Sequence, residues 1–241
     1  MLVHEAHERG RCKYGSPRVH RALKRQGIPV SRKRIIRLMQ EGGLVGRRRR
    51  RFKCTTDSNH NQPVAPNLLD RQFNATATNQ RWVGDTTELV TPNGKLYLAV
   101  ILDLFSRFVV GWALSAVNDR HLTIQALNMA IRRRCPEAGL LHHSDQGSTY
   151  ASEDYQHILE RHGIICSMSR RGNCLDNAVM ESWNSTFKVE LGEYFESAAD
   201  AKAKLFDFIE VFYNQLRMHS SIGYVSPAEY ERMQSPQTLA A

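Results

Sequence analysis

The sequence predicts an α/β protein, a mixed five-stranded sheet with flanking helices, preceded by a small helical helix-turn-helix module. Three observations carry that expectation. Between Trp82 and Ser115 the runs "WVGDTTELV", "LYLAVILDL" and "FVVGWALS" follow one another, and Pro92-Asn93-Gly94-Lys95 between the first two is a strong hairpin signal. From Asp119 onward, segments of helical period alternate with short apolar runs. Ahead of residue 46, two short amphipathic segments flank Gly27-Ile28-Pro29, a helix breaker.

The bulk numbers set the frame. At 241 residues, 41% hydrophobic and 8% aromatic, the chain has room for one sizeable core and a small appended module. Lys and Arg number 33 against 24 Asp and Glu, for a formal charge of +9. Such a balance favours a polyanionic partner, nucleic acid ahead of an anionic membrane surface. No segment approaches the ~18 consecutive apolar residues of a membrane span, and Met1 to Gly10 lacks a signal-peptide core, so a cytoplasmic protein without a membrane partner is expected. Cys12, Cys54, Cys135, Cys166 and Cys174 are scattered and form no CxxC pair, which suggests neither a disulfide framework nor a zinc knuckle.

Each element has its own signal. Ser16-Pro17 opens a helix with Val19, Ala22 and Leu23 on one stripe. Ser31 caps a second, with Ile35, Leu38 and Met39 inward and Gly42-Gly43 at its end. Arg32, Lys33, Arg34 and Arg37 on that second helix are expected to meet DNA. Residues 1–45 are therefore read as a helix-turn-helix-like DNA-binding module. Residues 46–78, which include "GRRRRRFK", form a basic, polar linker whose charge suits phosphates, and 79–241 the sheet-forming core with a C-terminal helical extension. Taking Asn93-Gly94 as a two-residue loop, Asp85 opposes Leu102 and Gly84 opposes Asp103. Asp85 and Thr87 then share one face, with Asp103 and Glu88 on the other; Asp103 reads as a strand-end partner of Arg107. Asp119 caps a helix carrying Leu122, Leu127, Ala130 and Ile131. Leu140-Leu141 begins a fourth strand ending at Asp145, Ser152 caps a helix with Tyr155, Ile158 and Leu159, and "GIICSMS" is the fifth strand. From about Asn177 the chain is mainly helical, with Leu205, Phe208, Ile209 and Phe212 on one face.

Three carboxylates stand out from this frame. Asp85 lies mid-strand among apolar neighbours, where an unpaired charge is costly and calls for compensation, as by a metal ion. Asp145 ends a strand before the sharp turn Gln146-Gly147-Ser148, and ligands of such sheets gather beyond strand ends. On the helix after Asp176, Val179, Trp183, Phe187 and Leu191 form an apolar flank, and Asn177, Glu181, Asn184 and Lys188 a polar line beside it. The bland readings are a turn former for Asp145 and a solvated face for that polar line. Three hard-oxygen side chains suit Mg²⁺ or Mn²⁺, and a pair of such ions suits in-line phosphoryl displacement.

The stretches "WVGDTTEL", "YLAVILDLFSRFVVGWALS", "HHSDQGSTYAS", "SMSRRGNCLDNAVMESWNSTFKVEL" and "VFYNQLRMHSSIGYVSPAEYE" resemble the catalytic chain, of ORF B type, of bacterial insertion-sequence transposases of the IS-three (IS3) family, within the retroviral-integrase-like DDE group. The resemblance runs from about Tyr14 to Tyr230 and implies a ribonuclease-H-like catalytic fold. It puts the family's acidic triad on Asp85, Asp145 and Glu181, with the family's spacing of 35 residues between the last two. Lys188 matches a basic position that grips terminal DNA. It further implies two Mg²⁺ ions, replaceable by Mn²⁺, with water attacking at the element's end and the freed 3′-OH attacking a second phosphodiester. The implied partners are double-stranded DNA of the terminal repeats and target, further copies of the chain assembled on that DNA, and an upstream-frame helix-turn-helix and leucine-zipper protein or fused segment; the implied setting is the bacterial nucleoid.

Secondary sites complete the reading. Arg170 and Arg171, in a Gly-containing loop, are expected on phosphate, as are Asn177 and Asn184 along the polar line. Of His142 and His143, one is expected inward and one towards DNA; Tyr213, Asn214, Arg217 and His219 are further DNA candidates. Trp82, Trp112 and Trp183 read as core. Two alternatives stand beside the transposase: a non-catalytic DNA-binding protein, which leaves the spaced carboxylates without purpose, and a nuclease of the same fold that performs no strand transfer.

Overall fold

The N-terminal segments fold as three helices, α1 (Leu2–Arg9), α2 (Ser16–Arg25) and α3 (Arg32–Glu41), in a computed structural model that describes residues 1–46 and 62–235. α2 and α3 start where their caps predict: Pro17 sits in the first turn of α2, and the Ser31 hydroxyl accepts the Arg34 N–H at 3.3 Å. Val19, Leu23, Ile35 and Met39 face inward. α1 was not expected, because its inward stripe of Val3, Ala6 and His7 spans barely two turns. The arginine run of the linker lies outside the described residues.

Contacts divide the chain into Phe52–Glu210 and a discontinuous unit of Met1–Arg51 with Val211–Ala241. The C-terminal helical extension expected within 79–241 is, from Val211 onward, grouped with the N-terminal helices. The physical reason is a set of polar ties between remote segments. The Tyr14 hydroxyl donates to the Leu216 carbonyl at 3.2 Å and accepts the Met218 N–H at 3.0 Å. Arg18 Nε donates to the Met218 carbonyl at 3.1 Å, and Arg25 pairs with Glu229. The charged ends of Arg11 and Lys13 lie 5.0 and 4.9 Å from the centre of the Phe212 ring. Tyr213, Asn214 and Arg217 are buried in this unit, and the Asn214 carbonyl accepts the Ala228 N–H at 3.0 Å. Three of the four DNA candidates in this tail are thus interior, and the fourth, His219, is half-buried.

In the other unit, β1 (Arg81–Thr91), β2 (Gly94–Asp103) and β3 (Val109–Ser115) form an antiparallel meander. α4 (Arg120–Arg134), β4 (Leu141–Ser144), α5 (Ser148–Ala151), α6 (Glu153–Arg161) and β5 (Ile165–Met168) follow. A 3₁₀ turn, Cys174–Asn177, leads into α7 (Ala178–Glu190), then α8 (Ala198–Phe206) and a π-helical stretch, Asp207–Tyr213, whose last three residues belong to the discontinuous unit. The sheet order is β3-β2-β1-β4-β5, with β4 and β5 parallel to β1, the five-stranded mixed sheet expected from the sequence.

The hairpin register differs from expectation. Thr91 pairs with Gly94 and Asp85 with Val100, so the loop is Pro92-Asn93. Pro92 has no N–H to give a ladder and belongs in the turn, while Gly94 takes φ +124°, open to glycine. The slip is even, so every side chain keeps its predicted face. Trp82, Ala99 and Ile101 line one face and share a core with Leu122 and Ala126 of α4 and Tyr155 and Leu159 of α6. Gly111 lets α4 lie close on β3, since a Cβ there would stand 2.2 Å from the Ala126 carbonyl oxygen. Asp119 caps α4 as predicted, its carboxylate accepting the Leu122 N–H at 3.2 Å. The opposite face of β1 carries Asp85 and meets α7, where Trp183 and Phe187 stack at 5.4 Å and Phe208 lies edge-on to Phe187 at 5.7 Å. Among the described residues no helix is long and apolar enough to cross a membrane.

Candidate active site

Parallel pairing decides where the first two carboxylates meet. β1 and β4 run in register, Trp82 beside His142 and Val83 beside His143. Each acid lies two residues beyond that last pair, Asp85 within β1 and Asp145 just past the end of β4. Asp145 turns the chain: its Oδ1 accepts the Gly147 N–H at 2.9 Å, and Gly147 precedes α5. Asp85 is half-buried, its Oδ1 accepting the Thr86 N–H at 2.8 Å and its Oδ2 the Asn184 amide at 2.7 Å. Glu181 stands in the first turn of α7, one turn before Asn184.

The electrostatics tie the three together. Burial pushes the Asp85 carboxyl up to about 8, the charge of Asp145 is the next cause and Glu181 adds to it, while the Thr86 and Asn184 hydrogen bonds pull it back. An acid raised by two neighbouring acids in this way fits a divalent cation, and the donors are all hard oxygens of the kind Mg²⁺ and Mn²⁺ take. Among the described residues no three acidic, histidine or cysteine side chains already stand in a closed ligand cage. Two carboxylates remote along the chain lie in electrostatic reach of Asp85 without being drawn up around one point.

Other expected site residues fall differently. Lys188, two turns after Glu181, pairs with Glu193 at 3.3 Å and is partly exposed. Arg32, Lys33, Arg34 and Arg37 are all exposed on α3, whose Ile35 and Met39 are buried. Asn177 and Asn184, expected on DNA, are buried against β1: Asn177 donates to the Gly84 carbonyl at 3.1 Å, and Asn184 donates to Asp85 at 2.7 Å. Arg170 forks onto Asp176, Nε and Nη2 each at 2.8 Å, whereas Arg171 is exposed.

Both histidines are interior, so neither approaches DNA. His142 Nε2 meets the Tyr155 hydroxyl at 2.7 Å, and His143 lies between the Ser167 and Ser169 hydroxyls at 2.8 and 3.0 Å. Burial lowers His142 to about 3, with His143 adding, and lowers His143 to about 4 against a weaker opposing pull from Asp176. Both are neutral at physiological pH. Trp82 and Trp183 are core, as expected, while Trp112 is part-exposed and donates to Glu210 at 2.9 Å. Asp103, fully buried, accepts the Asn79 and Phe105 N–H groups at 2.7 and 2.8 Å.

Two contributors escape the sequence reading. Tyr150 is buried beside the acidic pair, its hydroxyl 3.2 Å from Thr86 Oγ1. Burial, Tyr155, Asp85 and Asp145 push the phenol well above its usual value. Asp176 is the other, a fully buried carboxylate read from the sequence only as a helix start. A tyrosine five residues after a strand-end aspartate gives no signal without the fold.

Family models match nearly the whole length of the chain. The integrase core domain family matches residues 75–174, a second integrase core family matches 162–227, and an HTH-like domain family matches 1–52. The chain is 47% identical over 232 residues to the insertion element IS600 uncharacterized 31 kDa protein of Shigella sonnei, covering 95% of this chain and 85% of that protein. It is 40% identical over 232 residues to the transposase InsF for insertion sequence IS3A of Escherichia coli (strain K12), covering 95% and 81%. Among solved structures it is similar to a chain of the simian T-cell lymphotropic virus intasome in complex with PP2A regulatory subunit B56 gamma, with TM-score 0.54 and 17% identity over 90% of this chain and 70% of that one. At that identity the likeness speaks for the fold alone, an integrase-like, ribonuclease-H-like sheet.

Proposed function

The chain belongs to the IS3 family of insertion-sequence transposases, and from that premise we propose that it cleaves and joins DNA strands at the ends of its element by phosphoryl transfer at Asp85, Asp145 and Glu181. The observation that carries the reading is the Asp85 carboxyl, driven up by burial and by two acids from β4's end and α7. Asp85, Asp145 and Glu181 would hold divalent ions, Mg²⁺ or Mn²⁺, which when bound would supply charge stabilisation for an in-line phosphoryl displacement. The protein's own contribution is positioning.

Backbone and amide donors set that positioning. The Thr86 N–H and the Asn184 amide leave Asp85 one orientation, and the Gly147 N–H does the same for Asp145. Asn177 holds the start of α7 to the carbonyl beside Asp85, which brings Glu181 to the same strand. Lys188 exchanges Glu193 for a phosphate of the terminal DNA, a charge-assisted contact of equal geometry and greater charge. The exposed basic residues of α3 carry recognition of duplex DNA, and the +9 charge steers it. Two ends have to be joined, so copies of the chain assemble on DNA, with an upstream-frame helix-turn-helix segment as a further partner. The first reaction is hydrolysis that frees a 3′-OH, and the second is attack of that hydroxyl on another phosphodiester.

The test uses the purified chain with a labelled duplex bearing its element's end. With Mg²⁺, nicked and then joined products are expected; EDTA and Asp145→Asn each remove both and leave duplex binding intact. Binding without cleavage under all conditions marks a DNA-binding protein, and nicks without joined ends mark a nuclease. Cleavage by Asp145→Asn with Mg²⁺ refutes the metal role.

A further inference from the structure

We propose that Asp176 is a positioning residue for Glu181, a buried anion that clamps a strap from before the sheet and so fixes the start of α7; the inference rests on the catalytic reading of Glu181. Asp176 is fully buried and accepts five hydrogen bonds. Arg170 supplies three, from Nε and Nη2 at 2.8 Å each and from its backbone N–H at 3.0 Å. Arg71 Nε supplies one at 2.9 Å and Asn67 Nδ2 one at 3.0 Å. Two guanidinium groups from chain segments about a hundred residues apart thus share one carboxylate.

The strap is held along its length. The Leu68 and Leu69 N–H groups both donate to Ser167 Oγ, at 2.9 and 3.1 Å, at β5, and Leu69 is buried. Asp70 and Arg71 carry φ of +38° and +61°, the left-handed region that side chains avoid. Such backbone costs of order 1 kcal/mol or more per residue and persists where surroundings over-determine it. Here it aims Arg71 at Asp176, and Arg71 Nη2 continues to Asn173 at 3.2 Å.

Stability alone is a poor reason for this construction. A buried ion pair is often no better than apolar residues of the same volume, and its attested use is to fix register. What this one fixes is the loop after β5, which contains Gly172 at φ +69° and would otherwise swing. Asp176 lies in the 3₁₀ turn continuous with α7, five residues ahead of Glu181. The next residue, Asn177, ties that turn to the Gly84 carbonyl beside Asp85. The clamp therefore sets the distance between the helix that carries one metal-binding acid and the strand that carries another. It also gives Arg170 a role inside the protein.

Arg71 is the accessible place to test it, since its side chain is 44% exposed. In the full chain, Arg71→Gln, Arg71→Lys and Asp176→Asn are compared with wild type in two ways: Mn²⁺ affinity without DNA, by electron paramagnetic resonance, and single-turnover cleavage of the end duplex. Arg71→Gln is expected to weaken Mn²⁺ binding and slow cleavage by about 10-fold each, the usual effect of losing a group that orients a ligand. Its half-saturating DNA concentration stays within about twofold of wild type, and Arg71→Lys recovers most of the loss. Asp176→Asn should be worse, and if it fails to fold the arginine variants decide. A folded Arg71→Gln, with native tryptophan fluorescence and wild-type Mn²⁺ affinity and rate, overturns the inference while the catalytic reading stands. A wild-type chain that binds no Mn²⁺ and cleaves nothing overturns both.

Discussion

Asp85→Asn should make the metal-free catalytic unit more stable at alkaline pH and less stable at acid pH. A carboxyl raised from 3.8 to about 8 keeps its proton in the fold far longer than in the unfolded chain. Its contribution to stability is therefore fully present below about 3.8 and is lost as pH rises through about 8. At ~1.4 kcal/mol per unit the upper limit is ~6 kcal/mol, and water at the half-buried edge brings the expected loss to about 2–3 kcal/mol. Asparagine removes that loss but turns an NH₂ towards either the Thr86 N–H or the Asn184 amide, which costs about 1 kcal/mol. Above pH 8 in EDTA the variant should gain about 1–2 kcal/mol, and at pH 5 it should lose about 1. Saturating Mg²⁺ stabilises wild type, by ~2.7 kcal/mol at a hundredfold excess over Kd, and leaves Asp85→Asn unmoved. The assay is urea unfolding followed by tryptophan fluorescence from pH 5 to 9. The chain's three tryptophans, Trp82, Trp112 and Trp183, all lie in Phe52–Glu210, so the signal reports that unit alone. Parallel pH profiles for the two proteins would refute the reasoning.

Three further outcomes are expected. His142 and His143, held neutral with values lowered to about 3 and 4, stabilise the fold above the ordinary histidine value, and that stability is lost as pH falls below it; His143→Gln should flatten the loss between about pH 6.5 and 4 in the same urea assay. Tyr14→Phe leaves the Met218 N–H and the Leu216 carbonyl without the phenol, and should destabilise the discontinuous unit by about 1–3 kcal/mol, read as faster hydrogen exchange in α2 and α3 with the sheet unchanged. Lys188→Ala should weaken end-duplex binding and reduce the slope of log affinity against log salt by about 1, measured by fluorescence anisotropy across salt concentrations.

The parts legible in the sequence are those fixed locally. Ser31 and Asp119 cap α3 and α4 because a short oxygen acceptor ahead of an amphipathic run satisfies a free N–H whatever the surroundings. The face of Asp85 survived a hairpin loop shifted by one residue because that changes the pairing by two, and strand sides repeat every two. Asn177 and Asn184 were illegible for the converse reason: a polar line along a helix has the same spacing whether it meets water, phosphate or a buried carbonyl. Nothing near Tyr14 in sequence hints that its hydroxyl closes onto Leu216 and Met218. The tail "YNQLRMHSSIGYVSPAEYE" carried the family resemblance correctly, yet Asn214 and Arg217 within it build an interior. Asp176 read only as a helix start because its partners Asn67 and Arg71 stand more than a hundred positions earlier.

Anomalous diffraction from crystals of the chain soaked in Mn²⁺ tests most directly whether these acids form a metal site. A manganese peak bounded by carboxylate oxygens of Asp85 and Asp145, with Glu181 turned towards the same centre, is the result expected. Manganese bound only elsewhere, with those three side chains unmoved, would contradict it.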